Sequence, residues 1–273
     1  AQVGKGGIIA PGPRWLQTPS RPITAMARLT IVLAAAALFT ITSGDASAAT
    51  CDAKTGKCGG AGEPHGGVLV NTLVTDAAQR KQLVSGASVT LELSERQACD
   101  VALLIFGGFS PLTGFMKQAD YDSVVESMRT KEGGVLFGLP VVLDVNDATL
   151  QGKKVLLKYK GIEMAVMDAE EVWQPNKVKE AKGSYGTSSA EHPTVLELYS
   201  GLGKYYMGGK VHGLVKSLEE VWGKGFKTPA EVRATLPEGK QVVAFQNRNP
   251  VHKAHFELLV TAQKDVANSI VFV

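Results

Sequence analysis

The feature that most constrains the fold is a strand pattern, a polar turn, a helical pattern and a second strand pattern near the end of the chain. Apolar runs at residues 241–245 and 269–273 predict two strands, and residues 251–264 predict a helix between them. This order forms the first βαβ unit of a parallel sheet, the arrangement found in nucleotide-binding α/β domains. We therefore expect an α/β domain from residue 239, in a fragment of a longer protein.

The turn between the first strand and the helix is rich in hydrogen-bond donors. Arg248 offers a charged planar fork that fits tetrahedral oxyanions, and Gln246 offers an amide at the strand end. Asn249 is a preferred N-cap residue and Pro250 a preferred first helical residue, so we expect the helix to begin there. Because a helix N-terminus attracts anions through its free N–H groups and its dipole, this turn predicts an anion site.

Two histidines follow in the predicted first helical turn. His252 and His255 lie three residues apart, so both should face the same region. Together with Arg248 they could stabilise the charge that develops during transfer at a phosphorus atom. Three other interpretations stay open: half of a metal site, ordinary surface histidines, or an arginine that serves an ion pair. The absence of H-E-x-x-H and of flanking Cys or Asp residues disfavours metal ligation.

Residues 64–238 carry mixed signals in which strands outnumber helices. Ser94 and Gln97 form a capping box before a helical run that Gly107 ends, and Thr228 caps a short connecting helix. A further helix is predicted at residues 117–129, and strands at residues 139–145, 153–159 and 162–168, the last two joined as a tight hairpin across Lys160–Gly161. The pattern predicts an α+β or barrel-like domain.

The first 49 residues have the composition of a leader. Met26 and Arg28 precede an apolar run that ends in small residues at Ala46–Ala49, the layout of a secretory signal peptide. The run is shorter than the roughly 20 residues of a membrane-spanning helix, so we expect no stable membrane span. We assign residues 1–25 to translated upstream sequence, residues 26–49 to a signal peptide and residues 50–63 to a linker. A longer organelle transit peptide is the alternative.

The charge and the cysteines exclude some partners and leave others open. The formal net charge of +3 indicates no concentrated basic face, so we expect no nucleic-acid partner. The cysteines lack the paired spacing of a zinc site, and we expect no protein-bound metal. We interpret Cys99 as a buried small apolar residue, whereas Cys51 and Cys58 could pair with each other in an oxidising compartment.

The donor-rich turn resembles a motif of ATP sulfurylase. The resemblance covers residues 64–273 and rests on P-H-G-G at Pro64–Gly67, L-S-E-R-Q at Leu93–Gln97, G-G-F-S-P-L-T-G-F-M at Gly107–Met116 and Q-N-R-N-P-V-H-K-A-H at Gln246–His255. It implies an α/β protein with a PUA-like, β-rich α+β domain at residues 64–238. Residues 239–273 would then be the truncated start of a Rossmann-like parallel α/β nucleotidylyltransferase domain.

The resemblance also implies an activity. In that family ATP and sulfate give adenosine 5'-phosphosulfate and pyrophosphate with Mg²⁺, by direct attack of sulfate on the α-phosphorus, as the first step of sulfate assimilation. Carried over, Gln246 and Arg248 would bind sulfate and contact ATP, Asn249 would hold the nucleotide phosphates, and His252 and His255 would stabilise the transition state. Asn247 occupies a substrate-binding motif position that varies in the family, so we expect only its backbone to matter.

Further expectations concern assembly, location and activity. The resemblance implies a homo-oligomer, a downstream adenylylsulfate kinase domain and a plastid location reached through the leader, with the cytoplasm or the secretory lumen as alternatives. Since the rest of the ATP pocket would lie beyond Val273, we expect the chain alone to be inactive. Two other functions stay open: another H-x-x-H adenylyltransferase, or a non-catalytic sulfate-binding or scaffolding relative. We interpret His65, His192, His212 and the Gly107–Met116 run as structural.

Overall fold

The computed structural model describes residues 63–273, all within the unit Ala48–Val273. The predicted leader, the linker and the Cys51–Cys58 pair lie outside these residues, apart from Glu63 at the linker's end. The helices are α1 (Ala77–Gly86), α2 (Glu95–Phe106), α3 (Gln118–Ser127), α4 (Lys177–Tyr185), α5 (Pro193–Ser200), α6 (Leu218–Trp222), α7 (Pro229–Thr235) and α8 (Lys253–Asp265). The strands are β1 (Val89–Glu92), β2 (Gly114–Phe115), β3 (Leu143–Val145), β4 (Lys154–Tyr159), β5 (Ile162–Asp168), β6 (Glu171–Trp173), β7 (Tyr205–Gly213), β8 (Gln241–Ala244) and β9 (Ser269–Phe272).

A seven-stranded sheet is built around β7. Its strand order is β1-β4-β5-β7-β2, and β3 and β6 also pair with β7. Only the β1–β4 pair is parallel among these pairings. Met207 of β7 pairs with both Leu143 and Val172, which places β3 and β6 on opposite edges of β7. Four other strands thus depend on β7 for their hydrogen bonds.

The β4–β5 connection confirms the predicted tight hairpin. Tyr159 pairs with Ile162, which leaves two residues in the turn. Both have positive φ, 48° at Lys160 and 82° at Gly161. Two positive φ values define the type I′ turn, whose twist matches that of the flanking strands.

Helix α2 confirms the predicted capping box at Ser94 and ends at Gly107, which is left-handed with φ 91°. Its inner face supplies Ala98, Val101 and Ile105, each 0% exposed, to the core. The expectation that Cys99 is buried was wrong, because this thiol is free and exposed. Cys99 lies next to Ala98 but on the outer side of the helix. Because most residues of this run are apolar, the sequence pattern alone does not show which of them face the core.

The Gly107–Met116 run confirms its structural interpretation. Ser110 is buried. Its Oγ accepts a 2.9 Å hydrogen bond from the Val70 N–H and donates a 2.7 Å hydrogen bond to the Gly107 carbonyl. Phe115 is 3% exposed and belongs to the core. At Gly114 a Cβ atom would lie 2.0 Å from the Gly209 carbonyl oxygen, so the strand pair needs a glycine there.

The predicted βαβ order is present at the end of the described chain. Strands β8 and β9 are parallel, with Gln241 opposite Ser269 and Ala244 opposite Phe272. Helix α8 connects them, yet no side chain of β8, α8 or β9 is fully buried. Large apolar side chains such as Leu258, at 53% exposed, face solvent there. Over residues 63–273, no helix combines the length and the apolar character that crossing a membrane requires.

Candidate anion-binding site

The donor-rich turn lies at the carboxyl ends of the parallel strands. The Phe245 N–H donates a 2.9 Å hydrogen bond to the Phe272 carbonyl, which continues the β8–β9 pairing into the start of the loop. Residues 246–251 then cross to α8. Ligands of open α/β sheets bind at this end of the strands, beside the N-termini of the following helices. The fold therefore places the predicted site residues where an anion would be bound.

Helix α8 begins later than the sequence predicted. Its N-cap is His252, with φ −118° and ψ 174°, and its first residue is Lys253. Asn249 and Pro250 instead belong to the loop, so their assignment as N-cap and first helical residue was wrong. The Asn249 N–H donates a 3.1 Å hydrogen bond to the Asn247 side-chain oxygen, and this local turn competes with helix formation.

The start of α8 has free donors. No side chain caps the helix, and the first intrahelical bond joins the Phe256 N–H to the His252 carbonyl at 3.0 Å. The N–H groups of the first turn and the helix dipole therefore face the loop without a side-chain acceptor. Together they form a positive region suited to a phosphate or sulfate group.

The structure brings His252 and His255 into direct contact, as their spacing predicted. The two imidazole rings stack with centroids 3.7 Å apart and planes 24° from parallel. His252 is exposed, whereas His255 is half-buried and its Nδ1 atom is enclosed without a hydrogen-bond partner in the described range. Phe245 also contacts His255, with its ring centroid 5.5 Å from that of His255.

The remaining predicted residues line the loop. Gln246, Arg248 and Asn249 are exposed and Asn247 is half-buried. Within residues 63–273 the Arg248 guanidinium makes no hydrogen bond or ion pair, and neither does the Gln246 amide. The structure thus pairs Asn247 with Asn249 and His252 with His255, while Gln246 and Arg248 present their donors to solvent.

The donor set suits an oxyanion better than a metal ion. The loop supplies amides, a guanidinium and two imidazoles, whereas Mg²⁺ prefers carboxylate, phosphate and water oxygens. Among the described residues, no group of three or more His, Cys, Asp or Glu side chains could hold a metal. Within the described residues the loop therefore offers donors for an oxyanion rather than ligands for a divalent cation.

Two surface clefts lie elsewhere in the described chain. One of about 570 Å³ is lined from α1, β5 and the segment after β7, and one of about 760 Å³ lies between α3 and α4. Neither is lined by a residue of the loop or of α8. The clefts are therefore separate from the candidate site.

Two family models match different parts of the chain. Residues 62–216, more than half of the 273-residue chain, match the family model described as PUA-like domain. The chain belongs to the PUA-like domain family. Residues 224–273, which contain β8, the loop and α8, match the model described as ATP-sulfurylase. The predicted PUA-like character of the N-terminal part is thus confirmed, and the candidate site lies in the ATP-sulfurylase segment.

Several curated relatives carry the same name. "Sulfate adenylyltransferase" of Aspergillus fumigatus is 39% identical over 216 residues, which cover 75% of this chain and 37% of the relative. The protein of the same name from Coccidioides immitis is 40% identical over 217 residues, with 75% and 37% covered. That from Kluyveromyces lactis is 38% identical over 213 residues, with 74% and 42% covered. These matches confirm the resemblance to ATP sulfurylase, and the chain spans about two fifths of its relatives' length.

A solved structure has a similar fold. The "Hexameric APS kinase from Thiobacillus denitrificans" matches with a TM-score of 0.55 and 25% identity, over 74% of this chain and 37% of that one. This supports the mixed α/β fold of the PUA-like family member. The domain limits 64–238 and 239–273, and the Rossmann-like character of the second domain, stay predictions.

Sequence reasoning missed Phe245 as a residue of the site and missed the side-chain role of Asn247. Asn247 was expected to contribute only its backbone, but its side chain holds the turn at Asn249. Phe245 was taken for an ordinary strand residue, and its ring contacts His255. The signal that could have found Phe245 is its position, since it is the last apolar residue before the donor-rich turn.

Proposed function

We propose that this chain is the N-terminal part of a sulfate adenylyltransferase, a nucleotidyltransferase that converts ATP and sulfate to adenosine 5'-phosphosulfate and pyrophosphate. One observation carries the proposal. Within the ATP-sulfurylase segment, a solvent-facing arginine lies on a short loop that leads directly into an uncapped helix N-terminus and two stacked histidines. That arrangement supplies the donors that two anionic substrates require.

Each substrate has its own donors in this proposal. The Arg248 guanidinium can hold two sulfate oxygens at once, and the Gln246 amide can donate to a third. Asn249 and the free N–H groups at the start of α8 would hold the nucleotide phosphates. The site would therefore hold two anions side by side, and its positive donors would offset the repulsion between them.

The proposed reaction is a direct displacement. A sulfate oxygen forms a bond to the α-phosphorus, the bond from that phosphorus to the bridging oxygen of the β-phosphate breaks, and pyrophosphate leaves with the electron pair. His252 and His255 would donate hydrogen bonds to the oxygens on which negative charge develops, the usual source of catalysis in phosphoryl and nucleotidyl transfer. Mg²⁺ bound to ATP would neutralise charge on the leaving pyrophosphate.

The proposal also covers the activity of this chain alone, its assembly and its location. The chain alone should be inactive, because it spans only 37–42% of the length of relatives that carry the name. We also propose a homo-oligomer and a downstream adenylylsulfate kinase domain, and the hexameric APS kinase of similar fold supports both. The signal-type leader supports a plastid destination, which a fluorescent fusion of residues 1–63 would test against the cytoplasm and the secretory lumen.

Isotope exchange tests the function. In the full-length protein, labelled pyrophosphate should enter ATP only when sulfate is present, and residues 50–273 alone should release no pyrophosphate from ATP and sulfate. Exchange that does not depend on sulfate would indicate another H-x-x-H adenylyltransferase. Sulfate binding in calorimetry without any exchange would identify a non-catalytic relative, and either outcome would overturn the proposal.

A further inference from the structure

The His255 ring contacts two other aromatic rings beside the loop. The Phe245 and His255 centroids lie 5.5 Å apart with planes tilted by 50°, and the His255 and His252 centroids lie 3.7 Å apart. His255 is therefore in ring contact with both an apolar ring and a second imidazole. His255 is half-buried.

The His255 ring has no polar group to orient it. Functional histidines usually donate one ring N–H to a carboxylate or a carbonyl, which sets both the tautomer and the direction of the other nitrogen. Within the described residues neither ring nitrogen of His255 has a hydrogen-bond partner, and Nδ1 is enclosed. The ring contacts take the place of the missing hydrogen bond, and Nε2 is the nitrogen left to a ligand.

Phe245 is itself held by the backbone. Its N–H donates to the Phe272 carbonyl at 2.9 Å, directly after the Ala244–Phe272 register pair that ends the parallel strands. The backbone of Phe245 is thus fixed to the sheet, whereas His255 belongs to α8. The contact between the two rings therefore connects the end of strand β8 to an imidazole of helix α8.

We propose that Phe245 is a positioning residue that holds the His255 imidazole by ring contact, so that Nε2 faces the bound anion. The proposal rests on the proposed function. Loss of the ring would leave His255 free to rotate about its side-chain torsions, and a group that acts in the transition state loses effect when it is misplaced by about 1 Å. The substrates would still bind through Arg248 and the start of α8.

Activity of the full-length protein gives the first test. Phe245→Leu should lower kcat about tenfold and leave the KM values for ATP and sulfate within about twofold, because the lost alignment acts on the transition state. Phe245→Tyr, which keeps the ring, should retain wild-type kcat. Phe226→Leu removes an exposed phenyl ring outside the loop and serves as the matched control. If Phe245→Leu does not fold, Phe245→Met replaces it as an apolar variant without a ring.

Nuclear magnetic resonance of the 273-residue chain gives a second test that needs no turnover. Phe245→Leu should shift the imidazole resonances of His255 and His252 and leave those of His65 and His212 unchanged. Unchanged His255 resonances, or an unchanged kcat in a folded variant, would overturn the positioning role. A wild-type protein without sulfate-dependent exchange would overturn the proposed function instead, and the resonances would still report on the ring contact.

Discussion

The Tyr206 hydroxyl of β7 donates a 2.9 Å hydrogen bond to Oε2 of Glu180 on α4. Tyr121 of α3 donates to the same oxygen at 2.8 Å, so one carboxyl joins three elements in the interior. Glu180 is 4% exposed. Burial raises the pKa of this carboxyl above its ordinary value of 4.5, because it outweighs the two tyrosine hydrogen bonds, which lower the pKa.

Glu180→Gln should change how stability depends on pH. A carboxyl whose pKa is raised by folding contributes stability that is complete below its unfolded value and is lost as the pH rises through the folded value. Glutamine stays neutral, so the variant should gain stability relative to the wild type as the pH rises above 4.5. Urea unfolding at a series of pH values measures the difference. A constant difference would show that the carboxyl does not titrate in this way.

Asp168→Asn should destabilise the fold in the opposite pH range. Asp168 contacts Lys154 Nζ at 2.5 Å and His212 Nε2 at 2.8 Å. Burial raises the pKa of Asp168, but these hydrogen bonds outweigh it and hold the pKa below its ordinary value of 3.8. Stability from such a group is present above pH 3.8 and is lost as the pH falls through the folded pKa.

The expected loss at neutral pH for Asp168→Asn is about 1 kcal/mol, because the carboxylate is partly exposed. It should shrink toward zero in acid. Glu191→Gln is the control, since that exposed carboxylate has no hydrogen bond or ion pair among the described residues. An equal loss of stability in both variants would contradict the assignment.

Gly114→Ala should prevent tight pairing of β2 with β7. An added Cβ would lie 2.0 Å from the Gly209 carbonyl oxygen, so the backbone would have to move, at a cost of about 2 kcal/mol or more in the free energy of unfolding. Gly138→Ala introduces the same methyl group where no atom lies within 4 Å. Thermal unfolding should separate the two variants, and similar melting temperatures would refute the steric argument.

Arg248→Lys should impair catalysis although it keeps the charge. A lysine cannot present the planar fork that holds two oxygens, so kcat/KM for sulfate-dependent exchange should fall roughly 100-fold in the full-length protein. Arg129→Lys, at an exposed arginine of the PUA-like part, should leave the rate unchanged. A loss smaller than about threefold would remove Arg248 from the proposed chemistry.

Amides of α8 should exchange with solvent faster than those of α2. No side chain of α8 is buried, whereas α2 buries six residues, so little packing opposes local opening of α8. Hydrogen exchange with mass spectrometry on the whole chain compares the two helices directly. Equal protection would show that α8 is stabilised by contacts other than those described.

Local sequence signals predicted the elements whose ends are fixed by short-range chemistry. The capping boxes at Ser94 and Thr228 and the hairpin at Lys160–Gly161 were found because each depends on neighbours in sequence. Strand β7 was missed, since Y-Y-M-G-G-K-V-H-G has glycines that disfavour a strand in isolation. At Gly208 a Cβ would lie 2.3 Å from the Met116 carbonyl oxygen. Contact with the neighbouring segment of the chain therefore requires a glycine in this strand, although strand propensity disfavours one.

The candidate site was predicted in composition but not in detail. That His252 and His255 face the same region followed from their spacing, although the stacking of their rings was not predicted. The start of α8 did not, because an asparagine can cap a helix or close a turn with its neighbour, and only the folded chain shows that Asn247 and Asn249 form the turn. The Phe245 contact joins a strand end to a helix and depends on tertiary structure.

The pairing pattern of β7 has a consequence for synthesis on the ribosome. β7 is the last of the seven strands of its sheet to be made, yet β2, β3, β5 and β6 all pair with it. Until residues 205–213 emerge, β1, β4 and β5 can associate, while β2, β3 and β6 expose open edges. A pause in translation before residues 205–213 emerge would therefore leave strand edges exposed that the complete sheet pairs.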